Sequence, residues 1–223
     1  MSATIKHIEE SLKFGNLEVS KLTQDVIDIK GLTSKKVRCF LNNICNKENT
    51  VYLEIGSYRG ATFCSALYGN DVDAIAIDNW SVEKIMPAIT PLWTSLGESA
   101  VETKPKDVFV QNLKKFKGTN NVQVLDENYL NFNKKSLLYE PNVIFYDGQH
   151  TFADQYQVLA DFKDYLADEF VLIVDDWNWE KRGILKGIKD LNLNVKYKKE
   201  IFTKGEDPDD FWNGLGVFLL SSK

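Results

Sequence analysis

Three aspartates follow two apolar runs of the sequence and are spaced to meet at one edge of a sheet. Asp147 follows the run Val143–Tyr146, and Asp175 and Asp176 follow the run Phe170–Val174, one helix further along the chain. Neighbouring parallel strands would place the three carboxylates together, where like charges repel unless a proton or a cation joins them. Oxygen ligands with open positions suit Mg²⁺ or a similar hard cation. The alternative is that these aspartates cap helices or face water.

His150 stands three residues after Asp147, in the segment FYDGQH. The ordinary pKa of an imidazole, about 6.5, lies near working pH, so this side chain suits the removal of a proton from a hydroxyl group. His150 and Asp147 are therefore the candidate catalytic residues, and the alternative for His150 is a structural histidine bonded to the backbone. His7, the other histidine, lies in the N-terminal segment, and we expect no catalytic role for it.

The segment LEIGSYRG, residues 53–60, joins an apolar run to a helical pattern. Gly56 and Gly60 allow the backbone to turn tightly and a ligand to approach it closely. The spacing E-x-G-x-x-x-G, with Ser57 inside the loop, differs from the G-x-G-x-x-G fingerprint that holds a pyrophosphate. The segment therefore favours a zwitterionic ligand, with Glu54 as acceptor for its ammonium group. A plain glycine turn between strand and helix is the alternative.

Acidic residues also end the next two predicted strands. Asp78 closes the run Ala74–Ile77, at about the distance from the glycine turn where a ribose-binding carboxylate is expected, and Asn79 and Trp80 follow it. Asp126 ends a later strand, where its carboxylate would meet an adenine amino group. These positions predict a nucleoside site, and for both aspartates the alternative is an exposed side chain at a strand end.

The spacing of apolar residues predicts the elements that position these side chains. Strands are expected at 51–55, 74–77, 122–125, 143–146, 170–174, 195–202 and 216–220. Helices are expected at 61–67, 106–116, 151–166 and 182–191, with one more, capped by Ser34, before the first strand. Five βα units followed by an antiparallel pair predict an α/β fold: a doubly wound, mostly parallel, seven-stranded Rossmann-like sheet with a C-terminal antiparallel hairpin.

The domain organisation follows from this pattern. Residues 1–48 are interpreted as an N-terminal helical extension, and residues 49–223 as one domain that carries every candidate site. Residues 81–104 do not fit the alternation of strands and helices and contain Pro87, Pro91 and Trp93. An insertion of this length in a compact domain is often functional, so we interpret it as a lid or a substrate wall.

Composition excludes several classes of partner. The formal net charge is −5, and the absence of a strongly basic stretch argues against double-stranded nucleic acid. No stretch approaches the ~20 apolar residues that span a bilayer, and the start lacks the apolar run of a signal peptide, so we expect a cytoplasmic protein without a membrane partner. Cys39, Cys45 and Cys64 fit no zinc or redox spacing and are interpreted as buried thiols.

From about residue 34 to the end, these motifs resemble the class I S-adenosylmethionine-dependent methyltransferases. The glycine loop, the acidic end of the second strand and the final hairpin carry the resemblance, which implies S-adenosylmethionine as cofactor of the domain at 49–223. The residues that would contact this cofactor are Glu54, Gly56, Ser57, Gly60, Asp78, Asn79, Trp80, Asp126 and Asp147.

A narrower resemblance lies in DGQHTFADQYQVLADFKDYL followed by VLIVDDW. It is similar to the DGxH…Y…D…DD pattern of small-molecule O-methyltransferases of the catechol, macrolide or sugar type. In many of those enzymes, the aspartates that match Asp147, Asp175 and Asp176 hold a divalent metal. Catechol-type enzymes carry a lysine base where this chain has His150, so the base and the acceptor stay open.

The sequence therefore predicts an S-adenosylmethionine-dependent methyltransferase that acts on a small-molecule acceptor with a hydroxyl group, with Mg²⁺ as an additional metal cofactor. Two alternatives come from other classes. A NAD-dependent oxidoreductase on a Rossmann-like fold is disfavoured by the glycine spacing. A non-catalytic cofactor-binding protein would bind the cofactor without metal or turnover. The identity of the acceptor and the oligomeric state, a homo-oligomer included, stay open.

Overall fold

The computed structural model describes residues 2–81 and 104–222, and the strands of this part form one sheet. The strands are β1 (Val51–Ile55), β2 (Asp73–Asp78), β3 (Asn121–Asp126), β4 (Val143–Tyr146), β5 (Glu169–Val174), β6 (Asn194–Ile201) and β7 (Leu215–Ser221). They pair in the order β3-β2-β1-β4-β5-β7-β6. The first five run parallel, and β7 lies antiparallel between β5 and β6. The predicted fold class is confirmed.

The helices of the described residues cover both faces of this sheet. They are α1 (Ala3–Asn16), α2 (Gln24–Ile27), α3 (Lys35–Ile44), α4 (Ala61–Leu67), α5 (Pro105–Phe116), α6 (Phe152–Phe162) and α7 (Arg182–Asp190). Helix α3 begins as predicted, because the Ser34 hydroxyl accepts a hydrogen bond from the Val37 amide at 3.2 Å. Within the described part of the chain, no helix is both long and apolar enough to cross a bilayer.

Two buried clusters, one on each face, explain why the central strands β4 and β5 carry long apolar runs. One face packs α1, α3 and α4 against residues such as Tyr52 and Phe145, and the other packs α6 and α7 against residues such as Leu53 and Ile144. Because both faces are covered, β4 and β5 carry continuous apolar runs instead of alternating residues. The cysteines Cys39, Cys45 and Cys64 are free thiols and are buried, as predicted.

One crossover departs from the predicted βα pattern. Between β3 and β4 the chain forms a single 3₁₀ turn, Lys134–Ser136, where a fifth βα helix was expected. Gln123 of β3 holds this connection: its side-chain amide donates to the Ser136 carbonyl at 2.8 Å and accepts from the Leu138 amide at 3.0 Å. Phe132 packs into the core, so the connection covers the edge of the sheet without a helix.

The segment predicted as an N-terminal extension packs into the core of the domain. Ile8 of α1 and Phe40 of α3 lie in the same buried cluster as Tyr52 of β1. The two helices approach closely at Gly15, where an added Cβ would lie 2.7 Å from Phe40 Cβ. Residues 1–48 therefore contribute directly to the core that supports β1, and a separate boundary at residue 48 stays a prediction.

The insertion predicted as a lid or substrate wall, residues 81–104, lies outside the described residues except for its first and last positions.

Replacing Arg38 by methionine is expected to destabilise the fold by about 3 kcal/mol. The Arg38 guanidinium is 4% exposed and donates to the carbonyls of Val26, Ile27 and Ile29 and to the Ser65 hydroxyl. Without it, the Ile27 and Ile29 carbonyls lose the Arg38 donor, while the Val26 carbonyl keeps the Ile29 amide as a donor. Urea denaturation measures the loss.

The matched control is Arg182→Met, because Arg182 is solvent-exposed and pairs with Glu180 at the surface. We expect a much smaller loss of unfolding free energy in this control. Equal losses in the two variants would show that Arg38 does not hold α2.

Candidate functional site

The carboxyl ends of β1, β2, β4 and β5 bring most of the predicted site residues to one edge of the sheet. Hydrogen bonds extend the strand pairing beyond the last strand residues. The Gly56 amide donates to the Ile77 carbonyl at 2.9 Å, and the Asp147 amide donates to the Ile55 carbonyl at 2.9 Å. The Asp175 amide donates to the carbonyl of the last β4 residue at 3.0 Å. The loops after the strands therefore start from fixed positions.

The glycine loop, residues 56–60, is a turn that needs glycine at two points. Gly56 has a φ of +89°, and an added Cβ would lie 1.9 Å from the carbonyl oxygen of Asp147. Gly60 has a φ of +83° and starts α4, and its amide donates to the Ser57 carbonyl at 2.7 Å. The left-handed backbone at both positions and the close contact at the first explain why side chains are excluded there.

Asp78 organises the glycine loop with its carboxylate. One oxygen accepts hydrogen bonds from the Ser57 and Tyr58 amides at 2.9 and 2.8 Å, and the other accepts from the Trp80 amide at 2.7 Å. Burial raises the pKa of Asp78, against the effect of these three amide donors. The acidic end of β2 is therefore joined to the loop where a nucleoside site was predicted.

Glu54 lies beneath the loop and is fully buried. Its carboxylate accepts hydrogen bonds from the Tyr52 hydroxyl at 2.6 Å and from the Thr62 hydroxyl at 3.0 Å. Burial raises the pKa of Glu54 to about 8. The predicted contact of Glu54 with a ligand ammonium stays a prediction, because in this structure both carboxylate oxygens are bonded within the protein.

The remaining residues of the predicted nucleoside site lie beside the loop. The Trp80 indole donates to the Tyr58 carbonyl at 2.7 Å, so it also braces the glycine loop. Asn79 is exposed, and its side-chain oxygen accepts from the amide two residues later. Asp126 pairs with Lys106, with 2.5 Å between the charged atoms. This pair is partly exposed, so it constrains Asp126 only weakly.

Asp147, His150 and Asp176 form a cluster at the ends of β4 and β5. One ligand atom from each lies within 4.8 Å of the other two, which makes this a group able to hold a metal ion. His150 Nε2 is 3.0 Å from a carboxylate oxygen of Asp176 and 3.7 Å from one of Asp147. The structure thus brings together two of the three aspartates predicted as metal ligands, and adds the histidine predicted as base.

The third predicted ligand, Asp175, is buried beside this cluster. Its Oδ1 atom has no hydrogen-bond partner within residues 2–81 and 104–222. Burial, then the neighbouring Asp147 carboxylate, raises the pKa of Asp175 well above its ordinary value. Burial and Asp176 do the same for the pKa of Asp147. Carboxylates in this condition favour a proton or a cation among them.

Two tryptophans follow the paired aspartates and differ in role. Trp177 is fully buried, its indole donates to Glu200 at 3.0 Å, and it packs on Phe218, so it is a core residue. Trp179 is 58% exposed, and its ring lies edge to face with His150 at 5.6 Å between centroids. Of the two tryptophans, Trp179 is the one whose ring is exposed to solvent beside His150.

Sequence reasoning missed several residues that hold the site. Thr62 is the second residue of α4, eight residues after Glu54, and a hydroxyl at that spacing from a buried acid is a signal that could have been used. Asn213 holds Asp176 by donating to it at 2.9 Å. It comes from the loop before β7, and only the antiparallel placement of β7 beside β5 brings it there.

A family profile described as a methyltransferase domain matches residues 53–177, more than half of the chain. A search of curated protein sequences gives no significant match.

Solved structures share the fold at low sequence identity. The S-adenosylhomocysteine-bound methyltransferase PaMTH1 of Podospora anserina has a TM-score of 0.54 and 11% identity, over 99% of this chain and 89% of that chain. TrmK of M. capricolum, in complex with S-adenosylhomocysteine, has a TM-score of 0.51 and 14% identity, over 82% and 67%. An rRNA methylase of Streptococcus thermophilus has a TM-score of 0.51 and 11% identity, over 82% and 93%.

These solved structures share the overall fold of this chain, and the family profile covers both the glycine loop and the Asp147–Asp176 edge. The enzyme class predicted from the sequence, a methyltransferase that uses S-adenosylmethionine, is confirmed at the level of the family. The chain belongs to the methyltransferase domain family.

Proposed function

We propose that the chain binds S-adenosylmethionine over the glycine loop and transfers its methyl group to a hydroxyl of a small molecule. The acceptor would lie against the cluster formed by Asp147, His150 and Asp176. One observation carries this proposal: the glycine loop, held by Asp78, lies at the same edge of the sheet as His150, whose Nε2 is 3.0 Å from a carboxylate oxygen of Asp176. The glycine loop would bind the methyl donor, and His150 would remove the proton of the acceptor hydroxyl.

The glycine loop supports the cofactor part of the proposal. Gly56 and Gly60 let the loop turn tightly against Asp147 and Phe109 at the carboxyl end of β1, where a ligand of a doubly wound sheet is expected to bind. Asp78 and Trp80 hold the loop in this shape through bonds within the protein. The cofactors in the PaMTH1 and TrmK structures are of the class proposed for this chain.

His150 supports the acceptor part of the proposal. A hydroxyl group is a poor nucleophile until it loses its proton, and an imidazole within hydrogen-bond reach can take that proton. Burial lowers the pKa of His150, but the hydrogen bond and the charge of Asp176 outweigh this effect and raise the pKa. Asp176 thus raises the basicity of His150 and orients its ring through Nε2. The proton of the acceptor would go to Nδ1, which is buried and has no hydrogen-bond partner among the described residues.

The chemistry of the cluster fits a divalent cation. Asp147 and Asp176 supply oxygen ligands, and Asp175 adds a buried carboxylate with an oxygen that lacks a partner within the described ranges. Such hard ligands suit Mg²⁺. Bound there, the cation would lower the pKa of a coordinated hydroxyl, as a metal does for water. The aspartates would hold it, while His150 keeps its place beside Asp176.

A small molecule is favoured over RNA as acceptor, although the S. thermophilus structure is that of an rRNA methylase. The chain carries a net charge of −5, and the edge that would face the acceptor gathers Asp147, Asp175 and Asp176. A net negative charge disfavours binding of a phosphate backbone, whereas it does not affect a neutral hydroxyl compound. Trp179 offers an exposed ring as a wall for such a compound.

The double variant Asp175→Asn with Asp176→Asn is expected to lose Mg²⁺ binding and to keep the affinity for S-adenosylhomocysteine. The substitution removes two of the carboxylates that would bind the cation and leaves the glycine loop unchanged. Isothermal titration of wild type and variant with each ligand measures both effects.

The matched control is Asp209→Asn with Asp210→Asn, a second pair of adjacent aspartates that lies outside the cluster. This control removes the same charge and should bind Mg²⁺ like wild type. If wild type and site variant take up Mg²⁺ equally and weakly, the metal part of the proposal is wrong, and His150 would act as base without a cation.

A further inference from the structure

The loop that carries Asp147 and His150, residues 147–150, is anchored by a tyrosine outside the proposed chemistry. Tyr146, the last residue of β4, is fully buried, and its hydroxyl donates to the Gln149 carbonyl at 2.6 Å. Gly148 lies over the same ring, because an added Cβ there would be 2.8 Å from Tyr146 Cε2. The loop therefore folds back over the side chain of the residue that precedes it.

A second tyrosine extends this anchor to two other segments. The Tyr129 hydroxyl, from the connection between β3 and β4, lies 3.3 Å from the Tyr146 hydroxyl and donates to Asp154 at 3.3 Å. The Asp154 amide in turn donates to the Thr151 hydroxyl at the start of α6, at 3.1 Å. The two tyrosine rings meet edge to face, with 6.0 Å between centroids.

Both hydroxyls keep their protons at neutral pH. Burial raises the pKa of Tyr146 far above that of a free phenol, and it raises the pKa of Tyr129 to about 12. Tyr146 therefore remains a donor to the Gln149 carbonyl, one residue before His150. A carbonyl fixed at that point restricts the backbone from which the imidazole extends.

We propose that Tyr146 is a positioning residue, whose hydroxyl holds the Gln149 carbonyl and thereby sets the imidazole of His150 against Asp176. What the positioned imidazole does rests on the proposed function, but its position can be measured without methyl transfer. The variant Tyr146→Phe keeps the ring beneath Gly148 and removes only the hydroxyl. The Gln149 carbonyl would then turn to water, since Gln149 is exposed, and the loop would lose its anchor.

The imidazole NMR spectrum tests this role directly, because the chain has two histidines. His7 is the internal reference, since its ring lies 3.0 Å from the Ile44 carbonyl, in the N-terminal helices. In Tyr146→Phe labelled with ¹⁵N, we expect the ring signals of His150 to shift and those of His7 to stay in place. The affinity for S-adenosylhomocysteine, measured by titration, should equal that of wild type.

A second variant, Tyr129→Phe, should shift the His150 signals less, because it removes only the neighbour of the Tyr146 hydroxyl. If Tyr146→Phe does not fold, Tyr129→Phe becomes the test. His150 signals in Tyr129→Phe that stay at their wild-type positions would then contradict the proposal. In folded Tyr146→Phe, His150 signals that match wild type would overturn it. The proposal would also be overturned if the signals of both histidines shifted and S-adenosylhomocysteine bound more weakly, because this result would indicate a change of the whole fold. If wild type itself fails to bind S-adenosylhomocysteine, the proposed function is wrong, while the NMR comparison still judges Tyr146.

Discussion

Replacing Gly56 by alanine is expected to weaken the binding of S-adenosylhomocysteine by about 100-fold or more, which corresponds to about 2.7 kcal/mol. The added Cβ would lie 1.9 Å from the carbonyl oxygen of Asp147 and 2.7 Å from its carbonyl carbon, so one of the two loops must move. Both loops belong to the proposed site, in which residues 56–60 would bind the cofactor and Asp147 would lie between cofactor and acceptor. A single added methyl group is therefore enough to displace the glycine loop or the loop that begins at Asp147.

Alanine at position 56 would also strain the left-handed backbone, apart from the contact with Asp147. Gly118→Ala is the control for the effect of backbone strain alone. Gly118 has a φ of +56°, and an added Cβ there meets no atom of the described residues within 4 Å. The control should lose about 1–2 kcal/mol of stability from the left-handed backbone alone and bind S-adenosylhomocysteine like wild type. Titration at a temperature where both variants are folded by circular dichroism compares them. Wild-type affinity in Gly56→Ala would show that the loop is not the cofactor site.

Replacing His150 by alanine is expected to slow methyl transfer by about 10²- to 10⁴-fold, the usual contribution of a general base. The imidazole lies 3.0 Å from Asp176 and beside the exposed ring of Trp179. In the proposed function, the acceptor hydroxyl binds next to this imidazole. Because His150 is separate from the glycine loop, the affinity for S-adenosylhomocysteine should not change. The measurement is the rate of S-adenosylhomocysteine release from S-adenosylmethionine with hydroxyl acceptors that wild type turns over.

His7→Ala is the matched control, since it removes the other imidazole from the N-terminal helices. Its rate should equal that of wild type. A rate loss in His150→Ala that is matched by an equal loss of cofactor affinity would assign His150 a structural role and contradict its assignment as base.

The strand ends could be predicted from the sequence because they depend on short-range signals. The buried apolar runs of β2, β4 and β5 each end at an acidic residue, so the pattern of residue types is enough to place Asp78, Asp147 and Asp175 at one edge of the sheet. Strand order then follows from the rules for βα units, and β4 does pair with β5. These predictions need only the local pattern and the handedness of crossovers.

The details within the site could not be predicted in the same way. Asp175 and Asp176 are adjacent, and the sequence does not say which carboxylate turns toward His150. The chain takes a left-handed conformation at Asp176, with a φ of 51°, and Asn213 holds that side chain from a distant loop. Both features arise from the tertiary fold. The missing helix between β3 and β4 has a similar origin, because a side chain of β3 holds that connection instead.

Trp80 is a second example of a site detail that the sequence does not determine. A tryptophan after the acidic end of β2 was interpreted as a contact of the adenosine. In the structure its indole donates to the Tyr58 carbonyl and its ring packs near Phe109, with 5.3 Å between centroids. A residue type and its position in the sequence indicate the neighbourhood of a site. They do not distinguish a residue that touches the ligand from one that holds the loop, so the contact stays a prediction.

The measurement that tests the central claim most directly is a calorimetric titration of the wild-type protein with S-adenosylhomocysteine and, separately, with NAD⁺. The glycine loop has the E-x-G-x-x-x-G spacing, and Asp78 braces it, so we expect one molecule of S-adenosylhomocysteine to bind per chain and no heat from NAD⁺. Binding of NAD⁺ without binding of S-adenosylhomocysteine would contradict the account and favour an oxidoreductase on the same fold.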